Sequence, residues 1–257
     1  MAPPKKASRK QNLSSPRVLL RHPIAADGPE YVALRTASRK HLEPWDSVPV
    51  GAAPDINYGP DAFERALRTS RLELSMRFLI VIKQTGALAG SVGISNITRG
   101  AFMSCTIGYW IGKAYVGQGF MTEALALSVR FIFTRLNLHR VEANIIPTNK
   151  PSTALVKRLG FRFEGLAKNY LRIAGKWQDH SRWAMTLEDY QRLKKSKTIP
   201  FAHKRDEPVD FTSLPRQHTP NDTSAPMVNC QGYFTMIGPT LDSSHGVSEV
   251  HSFHTSG

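Results

Sequence analysis

Residues 109–124 restrict the fold more than any other stretch, because a strand-like run, a short loop, two glycines and a long helical pattern follow one another there. Gly117 and Gly119 stand directly before the helical pattern. The first amides of a helix lack internal partners and carry partial positive charge, and glycines let a ligand approach them closely. The arrangement predicts a pyrophosphate site, although the same glycines would also suit a plain turn. Its spacing fits neither a Walker loop nor the three-glycine dinucleotide fingerprint.

Strand-like and helix-like runs alternate on both sides of this stretch. Helices are predicted at residues 29–41, 61–74, 118–136 and 150–159, with a further helical turn beginning at Thr186. Strands are predicted at residues 17–21, 76–83, 88–97, 102–111, 140–146, 161–173 and 176–186, the last two joined as a hairpin at Ala174 and Gly175. This order predicts an α/β fold, with a mixed sheet that carries helices on both faces.

The two ends of the chain lack this periodicity. Residues 1–15 are basic and polar, and residues 196–257 are rich in Ser, Thr, Pro, His and Gly. We therefore expect a disordered tail at each end of one domain that covers residues 16–195. Within the second tail, residues 231–237 could pair as a short strand. Prolines among the first 16 residues favour a solvated basic tail over an organelle transit peptide.

Composition limits the function classes. The net charge of +14 is concentrated in the first 200 residues, and such a surface attracts nucleic acid, ribosomes or a phosphate-bearing cofactor, or simply keeps the protein in solution. The two cysteines form no disulfide framework, which fits a reducing, cytoplasmic location. The sequence has no apolar stretch of about 18 residues, so we expect no membrane span. The histidines lack metal-ligand spacing, so no metal is expected.

Several separated motifs resemble one family. Residues 116–121 resemble motif A of the GNAT acetyltransferase superfamily, Gln/Arg-Xaa-Xaa-Gly-Xaa-Gly/Ala, and residues 149–165 look like its motif B. His-Leu-Glu-Pro-Trp at 41–45, Ser-Asn-Ile-Thr-Arg-Gly at 95–100 and Gly-Lys-Trp-Gln-Asp-His at 175–180 are similar to the ribosomal-protein-alanine N-acetyltransferase branch. The resemblance covers about residues 16–190 and implies a mostly antiparallel sheet flanked by helices. Val116 and Met121 depart from the superfamily pattern, in which Gln or Arg and Gly or Ala are usual.

The resemblance implies acetyl-CoA as co-substrate and direct attack of an amine in a ternary complex. The coenzyme-binding residues it implies are Trp110, Ile111, Val116, Gly117, Gln118, Gly119, Phe120, Met121, Thr122, Asn149 and Ser152. Main-chain amides at the strand end would stabilise the thioester oxygen, Asn149 would bind the pantetheine arm, and Ser152 would stabilise or protonate the departing thiolate. An acyl-enzyme is disfavoured because Cys105 lies upstream in a strand.

Several candidates also have purely structural interpretations. Asn149 suits the N-cap of the helix that follows it, and Ser152 in the first turn could simply be solvated. Because a protein α-amino group has a pKa near 8, a weak base or a water relay suffices. Glu142 and Tyr170 are the candidates for that role. A paired structural carboxylate and a packed aromatic ring are the respective alternatives.

Two further pairs of polar and aromatic residues have structural interpretations beside the functional ones. Asp179 and His180 resemble a catalytic pair, but without a nucleophile pattern nearby we interpret them as hydrogen-bond partners within the hairpin. Trp45 and Trp110 are candidates to line the acceptor slot, although large aromatic side chains belong to the core by default.

The expected acceptor is the α-amino group of a protein N-terminus, and by the resemblance that of a ribosomal protein. A small-amine acetyltransferase, for an antibiotic or a polyamine, is one alternative, which the basic surface disfavours. A non-catalytic ribosome- or RNA-binding protein on the same fold is the other. Direct nucleic-acid binding stays open, as does the choice between monomer and homodimer, and no membrane association is expected.

Overall fold

A nine-stranded sheet runs through the described residues, 13–72 and 74–196 of the computed structural model. Its strands are β1 (Leu13–Ser14), β2 (Val18–Arg21), β3 (Arg71–Leu72), β4 (Ser75–Ile82), β5 (Leu88–Thr98), β6 (Ser104–Ile111), β7 (Arg140–Ile145), β8 (Arg162–Ile173) and β9 (Lys176–Thr186). The helices are α1 (Gly28–Ala37), α2 (Arg39–Leu42), α3 (Pro60–Arg68), α4 (Phe120–Thr134), α5 (Lys150–Arg158) and α6 (Leu187–Lys195).

The strand order is β1-β2-β4-β5-β6-β7-β9-β8, with β3 paired to β4. Every pair is antiparallel except β6 with β7. The expected mixed, mostly antiparallel sheet flanked by helices is therefore confirmed. The hairpin between β8 and β9 turns at Ala174 and Gly175, whose φ angles of 47° and 81° are those of a tight two-residue hairpin turn.

Helices cover both faces of the sheet. Helix α4 lies on one face, and nearly all of its residues are buried, as expected for a helix that is apolar on every side. Helices α5 and α6 contribute to the same core cluster. On the opposite face, Tyr31 of α1 and Phe63 of α3 pack on Leu79 and Val81 of β4. The central strands thus read as continuous apolar runs because both of their faces are covered. Among the described helices, none is long and apolar enough to cross a bilayer.

Two predicted helices end earlier than the apolar pattern indicated. The helix expected at residues 61–74 ends at Arg68, because the hydroxyls of Thr69 and Ser70 bond the carbonyl oxygens of Arg65 and Leu67 at 2.9 and 2.7 Å. These side chains satisfy the last turn, and the chain then enters β3. The helix expected at residues 29–41 is interrupted at Ser38, which separates α1 from α2.

The N-terminal boundary also differs from the prediction. Leu13 and Ser14, which the sequence placed in a disordered tail, form strand β1 against Leu19 and Leu20. Leu13 is buried in the main core, so the domain begins before residue 16. The rest of the predicted N-terminal tail, the predicted tail after Ser196 and the proposed strand at 231–237 lie outside the described residues.

A buried ion pair connects the end of β2 to the entry of α1. Asp27 is buried, and its two carboxylate oxygens accept from Arg21 at 2.6 and 2.7 Å. The Ile24 amide donates to the same carboxylate at 2.8 Å. Burial alone would raise the pKa of Asp27, but the hydrogen bonds from Arg21 and Ile24 outweigh it, and the pKa lies below its usual range.

We expect Asp27→Asn to lower the free energy of unfolding by roughly 2–3 kcal/mol at pH 7, since it leaves Arg21 without its charged partner in a half-buried place. A folded-state pKa below the unfolded value means that this stabilisation is present above the unfolded pKa of about 3.9 and is lost as the pH falls through the folded value. Urea denaturation at pH 7 and pH 3 measures the difference. Asp55→Asn, at an exposed carboxylate, is the matched control. An equal loss in both variants at pH 7 would contradict the prediction.

Candidate active site

Strands β6 and β7 lie side by side at one end only. Their parallel pairing joins residues 104–106 of β6 to residues 140–142 of β7. Both strands lie wholly within the described residues, and beyond these pairs β6 continues to Ile111 and β7 to Ile145 without further pairing between them. The two strands therefore diverge, and a gap opens in the middle of the sheet.

Alternate residues of β6 turn their main-chain groups toward this gap. The Gly112 amide donates to the Ala89 carbonyl at 2.8 Å, so Gly112 and, two positions back, Trp110 are hydrogen-bonded to β5. In an antiparallel ladder, the residues in between direct their N–H and C=O groups to the other side. The main-chain groups of Ile111 and Tyr109 thus face the gap, whereas those of Trp110 face β5.

A turn with open amides precedes α4. Gly117 and Gly119 have φ angles of 81° and 82°, which glycine adopts at little cost. Within the described part of the chain, the amides of Gly117, Gln118 and Gly119 donate to no acceptor. The first amides of the helix itself lack internal acceptors as well. The turn therefore presents a cluster of N–H donors at the positive end of a 15-residue helix.

The surroundings of this turn leave room for an anion. An ideal Cβ at Gly117 would meet nothing within 4 Å, and one at Gly119 would lie 3.0 Å from Nη2 of Arg17. The Gln118 side chain is turned back, since its Nε2 donates to the Ala114 carbonyl at 2.8 Å. Open donors, free space and a nearby guanidinium together fit a diphosphate.

The other residues predicted in this segment differ in exposure. Val116 is 40% exposed, whereas Phe120 and Met121 are buried in the core below the turn. Thr122 is half-buried, and its hydroxyl accepts from Arg158 at 3.5 Å. Arg158 is thus a second cation beside the start of α4.

The first turn of α5 brings together two hydroxyl groups. Asn149 caps the helix, since its Oδ1 accepts from the Ser152 amide at 3.2 Å. Burial raises the pKa of the Tyr109 phenol, and the Ser152 hydroxyl acts in the opposite direction. The Tyr109 oxygen is buried and has no hydrogen bond of good geometry within the described residues. The Ser152 and Tyr109 hydroxyls therefore lie near each other at the gap, on the α4 side of the sheet, with no hydrogen bond between them.

Glu142 lies on the opposite face, because its neighbours Val141 and Ala143 point into the α4 core. Its carboxylate is buried, and each oxygen accepts from one guanidinium, Arg140 at 2.9 Å and Arg182 at 2.7 Å. The hydrogen bond with Glu142 raises the pKa of Arg182. The structure places Glu142 as a paired carboxylate with both oxygens in use.

Tyr170 reaches the same face from the hairpin. The Asn144 amide donates to the Tyr170 hydroxyl at 3.4 Å. The side-chain oxygen of Asn144, Oδ1, is buried without a hydrogen-bond partner within the described residues. Burial raises the pKa of Tyr170, so its phenol is neutral at pH 7. Asn144 thus offers an unused acceptor beside a neutral hydroxyl.

Asp179 and His180 make contacts within the hairpin. Asp179 accepts from the Lys168 ammonium and the Asn169 amide, both at 2.9 Å, and the bond with Lys168 lowers the pKa of Asp179. His180 is buried, its Nδ1 lies 2.9 Å from the Gln178 carbonyl oxygen, and burial lowers its pKa. In the described part of the chain, no three Asp, Glu, His or Cys side chains cluster as a metal site.

The two tryptophans differ in their surroundings. The Trp110 ring lies 4.9 Å from the Arg35 guanidinium and 5.5 Å from the Tyr31 ring, so it packs on the α1 side of the sheet. Its indole N–H is buried without a partner within the described residues. Trp45 is half-buried beside Asp46, whose carbonyl accepts from Ala174 of the hairpin turn at 2.9 Å. The loop that carries Trp45 therefore docks on the hairpin.

Sequence reasoning missed Tyr109 and Asn144. Tyr109 precedes a predicted site residue in a strand, and strand alternation could have placed it on the opposite face from Trp110. Asn144 could have been identified in the same way, as the next residue after Glu142 on the same face of β7. Its link to Tyr170 depends on the hairpin fold, which the sequence alone did not position.

Residues 17–162 match the sequence family described as the acetyltransferase (GNAT) domain. One curated relative, the [ribosomal protein uS5]-alanine N-acetyltransferase of Escherichia coli K12, is 44% identical over 103 residues. That stretch is 40% of this chain and 53% of the relative, so the chain spans about half the length of that protein. A probable N-acetyltransferase of Bacillus subtilis, YjcK, is 41% identical over 102 residues, or 56% of its length.

Two solved structures cover more of the chain. RimJ of Mycobacterium smegmatis, in complex with CoA-disulfide, is 33% identical with a TM-score of 0.62, over 71% of this chain and 90% of that one. The ribosomal-protein-S5-alanine acetyltransferase of Vibrio fischeri is 30% identical with a TM-score of 0.62, over 69% of this chain and 97% of that one. The shared fold thus includes nearly the whole of the two solved structures and about 70% of this chain.

Proposed function

The chain belongs to the GNAT acetyltransferase family, and we propose that it transfers an acetyl group from acetyl-CoA to the α-amino group of a protein N-terminus. The observation that carries the proposal is the gap between β6 and β7, which ends at the open amides before α4. The gap gives an elongated thioester a path through the sheet. The amides provide a place for its diphosphate.

The gap divides the chemistry between two faces of the sheet. Acetyl-CoA supplies an activated thioester, from which a neutral amine displaces a thiolate as the new amide bond forms. Main-chain N–H groups of β6 that face the gap, at Tyr109 and Ile111, are suited to stabilise the developing oxyanion. We assign the α4 face to the coenzyme and the α1 face to the acceptor.

On the α4 face, Ser152 and Tyr109 serve the leaving thiolate. Its thiol has a pKa near 8.5, so a neighbouring hydroxyl can stabilise the anion or return a proton to it. Because burial raises the pKa of Tyr109, the phenol keeps its proton at pH 7 and can donate a hydrogen bond that stabilises the thiolate. Asn149 caps the turn that carries Ser152, and we propose that its side chain also contacts the pantetheine arm.

On the α1 face, Asn144 and Tyr170 are suited to receive the amine. The unused Asn144 oxygen can accept a hydrogen bond from the amine, and the adjacent Tyr170 hydroxyl can relay the proton that the amine loses on attack. Both oxygens of Glu142 already accept from arginines, so we propose that Glu142 positions Arg182 near Asn144 rather than taking the proton itself.

The proposed acceptor is the N-terminal residue of a ribosomal protein. The names of the Escherichia coli and Vibrio fischeri relatives specify an alanine of a ribosomal protein, and the first of these is 44% identical over the matched stretch. The net charge of +14 would draw the protein toward the ribosome, a polyanion. The same proposal places the protein in the cytoplasm.

Release of the CoA thiol in the presence of synthetic peptides tests this function. We expect turnover with an alanine-starting peptide and none with the same peptide blocked at its N-terminus, with mass spectrometry locating the acetyl group on the first residue. Turnover with polyamines or aminoglycosides alone would identify a small-amine acetyltransferase instead. If none of these acceptors supports thiol release and the protein binds RNA in a salt-sensitive way, the catalytic proposal would be overturned.

A further inference from the structure

Arg17, directly before β2, lies beside the turn that precedes α4. Its Nε donates to Glu123 at 2.5 Å, and its Nη1 donates to the Gln118 carbonyl at 3.1 Å. Its guanidinium carbon lies 5.0 Å from the centre of the Phe120 ring. A single side chain therefore donates hydrogen bonds to the turn and to Glu123, and its guanidinium also contacts the ring of Phe120, the first residue of α4.

The carboxylate that anchors Arg17 is buried. Glu123 is 5% exposed, and it also accepts from the Ser15 hydroxyl at 2.6 Å and from the Arg17 amide at 3.4 Å. A buried anion in the first turn of α4 would repel a phosphate bound at the helix start. Its ion pair with Arg17 removes this repulsion.

The part of Arg17 that is not engaged points at the open amides. Its Nη2 has no hydrogen bond within the described part of the chain and lies 3.0 Å from the place of a Gly119 Cβ. The side chain is 52% exposed, so an incoming anion can reach it.

We infer that Arg17 is a positioning residue for the diphosphate of coenzyme A, an inference that rests on the proposed function. It holds the Gln118 carbonyl, neutralises Glu123 and presents the free N–H groups of Nη2 next to the amides of residues 117–119. The amides and Nη2 would then donate to the diphosphate together, without a buried anion opposing them. The link between β1 and β2 thereby becomes part of the coenzyme site, although the glycine motif lies 100 residues later in the chain.

Calorimetric titration of coenzyme A into the wild type and Arg17→Gln tests the inference. We expect the variant to bind coenzyme A about tenfold more weakly, the size of effect typical for one charge-assisted contact. The matched control is Arg192→Gln, which also removes an arginine from a carboxylate pair but on α6. It should bind coenzyme A as the wild type does.

A second acyl donor separates positioning of the diphosphate from general damage. S-acetylpantetheine lacks the diphosphate, so its kcat/KM should change less than about twofold in Arg17→Gln while that of acetyl-CoA falls about tenfold. A loss shared by both donors, or unchanged coenzyme A affinity, would overturn the inference. Should Arg17→Gln melt well below the control, Arg17→Lys replaces it: this variant keeps a charge opposite Glu123 but lacks the Nη donors, so it should still bind coenzyme A more weakly than the wild type. A wild type that binds no coenzyme A would instead refute the proposed function.

Discussion

Gly119→Glu is expected to raise the KM for acetyl-CoA about 100-fold or more. The new carboxylate would stand among the amides that are proposed to hold the diphosphate. Two like charges about 4 Å apart at a protein surface repel by roughly 4 kcal/mol, which is sufficient for this loss. Because Gly119 has a φ of 82°, any side chain also adds backbone strain.

Gly119→Gln separates charge from strain, since it has the same size and the same backbone cost. Its KM should rise only about tenfold, because a neutral side chain crowds the turn without repelling the diphosphate, while the backbone strain lowers the melting temperature of both variants. Initial rates at varied acetyl-CoA concentrations, together with melting temperatures, measure both effects. Equal KM values for the two variants would mean that the added charge meets no phosphate at this turn.

Ser152→Ala should lower kcat by roughly 10- to 100-fold and change the KM for acetyl-CoA by less than about twofold. In this variant the main-chain amide of residue 152 still donates to the side chain of Asn149, which caps the helix, so α5 should stay intact. What is lost is the hydroxyl that faces Tyr109 and the proposed leaving group. Steady-state kinetics with a saturating peptide acceptor measures the split between kcat and KM.

Thr153→Ala is the matched control for Ser152, because it removes a hydroxyl from the next residue of α5, which makes no side-chain hydrogen bond within the described residues. Tyr109→Phe should lower kcat in the same way as Ser152→Ala. If the two hydroxyls act as a unit, the double variant should lose less than the product of the two single losses. A normal kcat in both single variants would remove the pair from the mechanism.

The order of the longer helices and strands could be predicted because each carries a clear periodicity and clear stops, whereas the two-residue strands β1 and β3 are too short to show one. Ala174 and Gly175 identified the hairpin, and the glycines before α4 marked the helix start. The end of α3 was predicted too late. Apolar residues at Leu72 and Leu74 continued a helical spacing, but the hydroxyls of Thr69 and Ser70 competed for the last carbonyls.

The candidate site was predictable only where it is local in sequence. The turn before α4 and the Asn149 cap involve neighbouring residues, so their types and spacing could indicate them. The Ser152–Tyr109 pair and the Arg17–Glu123 pair join distant parts of the chain, which are brought together by strand order. Periodicity places a residue on a face, but it does not say which residue of another element lies opposite.

The proposed function depends on the amides of residues 117–121, which we propose hold the diphosphate of coenzyme A. A crystal structure of the complex with coenzyme A is the decisive experiment. We expect diphosphate oxygens about 3 Å from these amide nitrogens, with the pantetheine arm running between β6 and β7. Density for the coenzyme elsewhere on the protein, with the turn before α4 unoccupied, would contradict it.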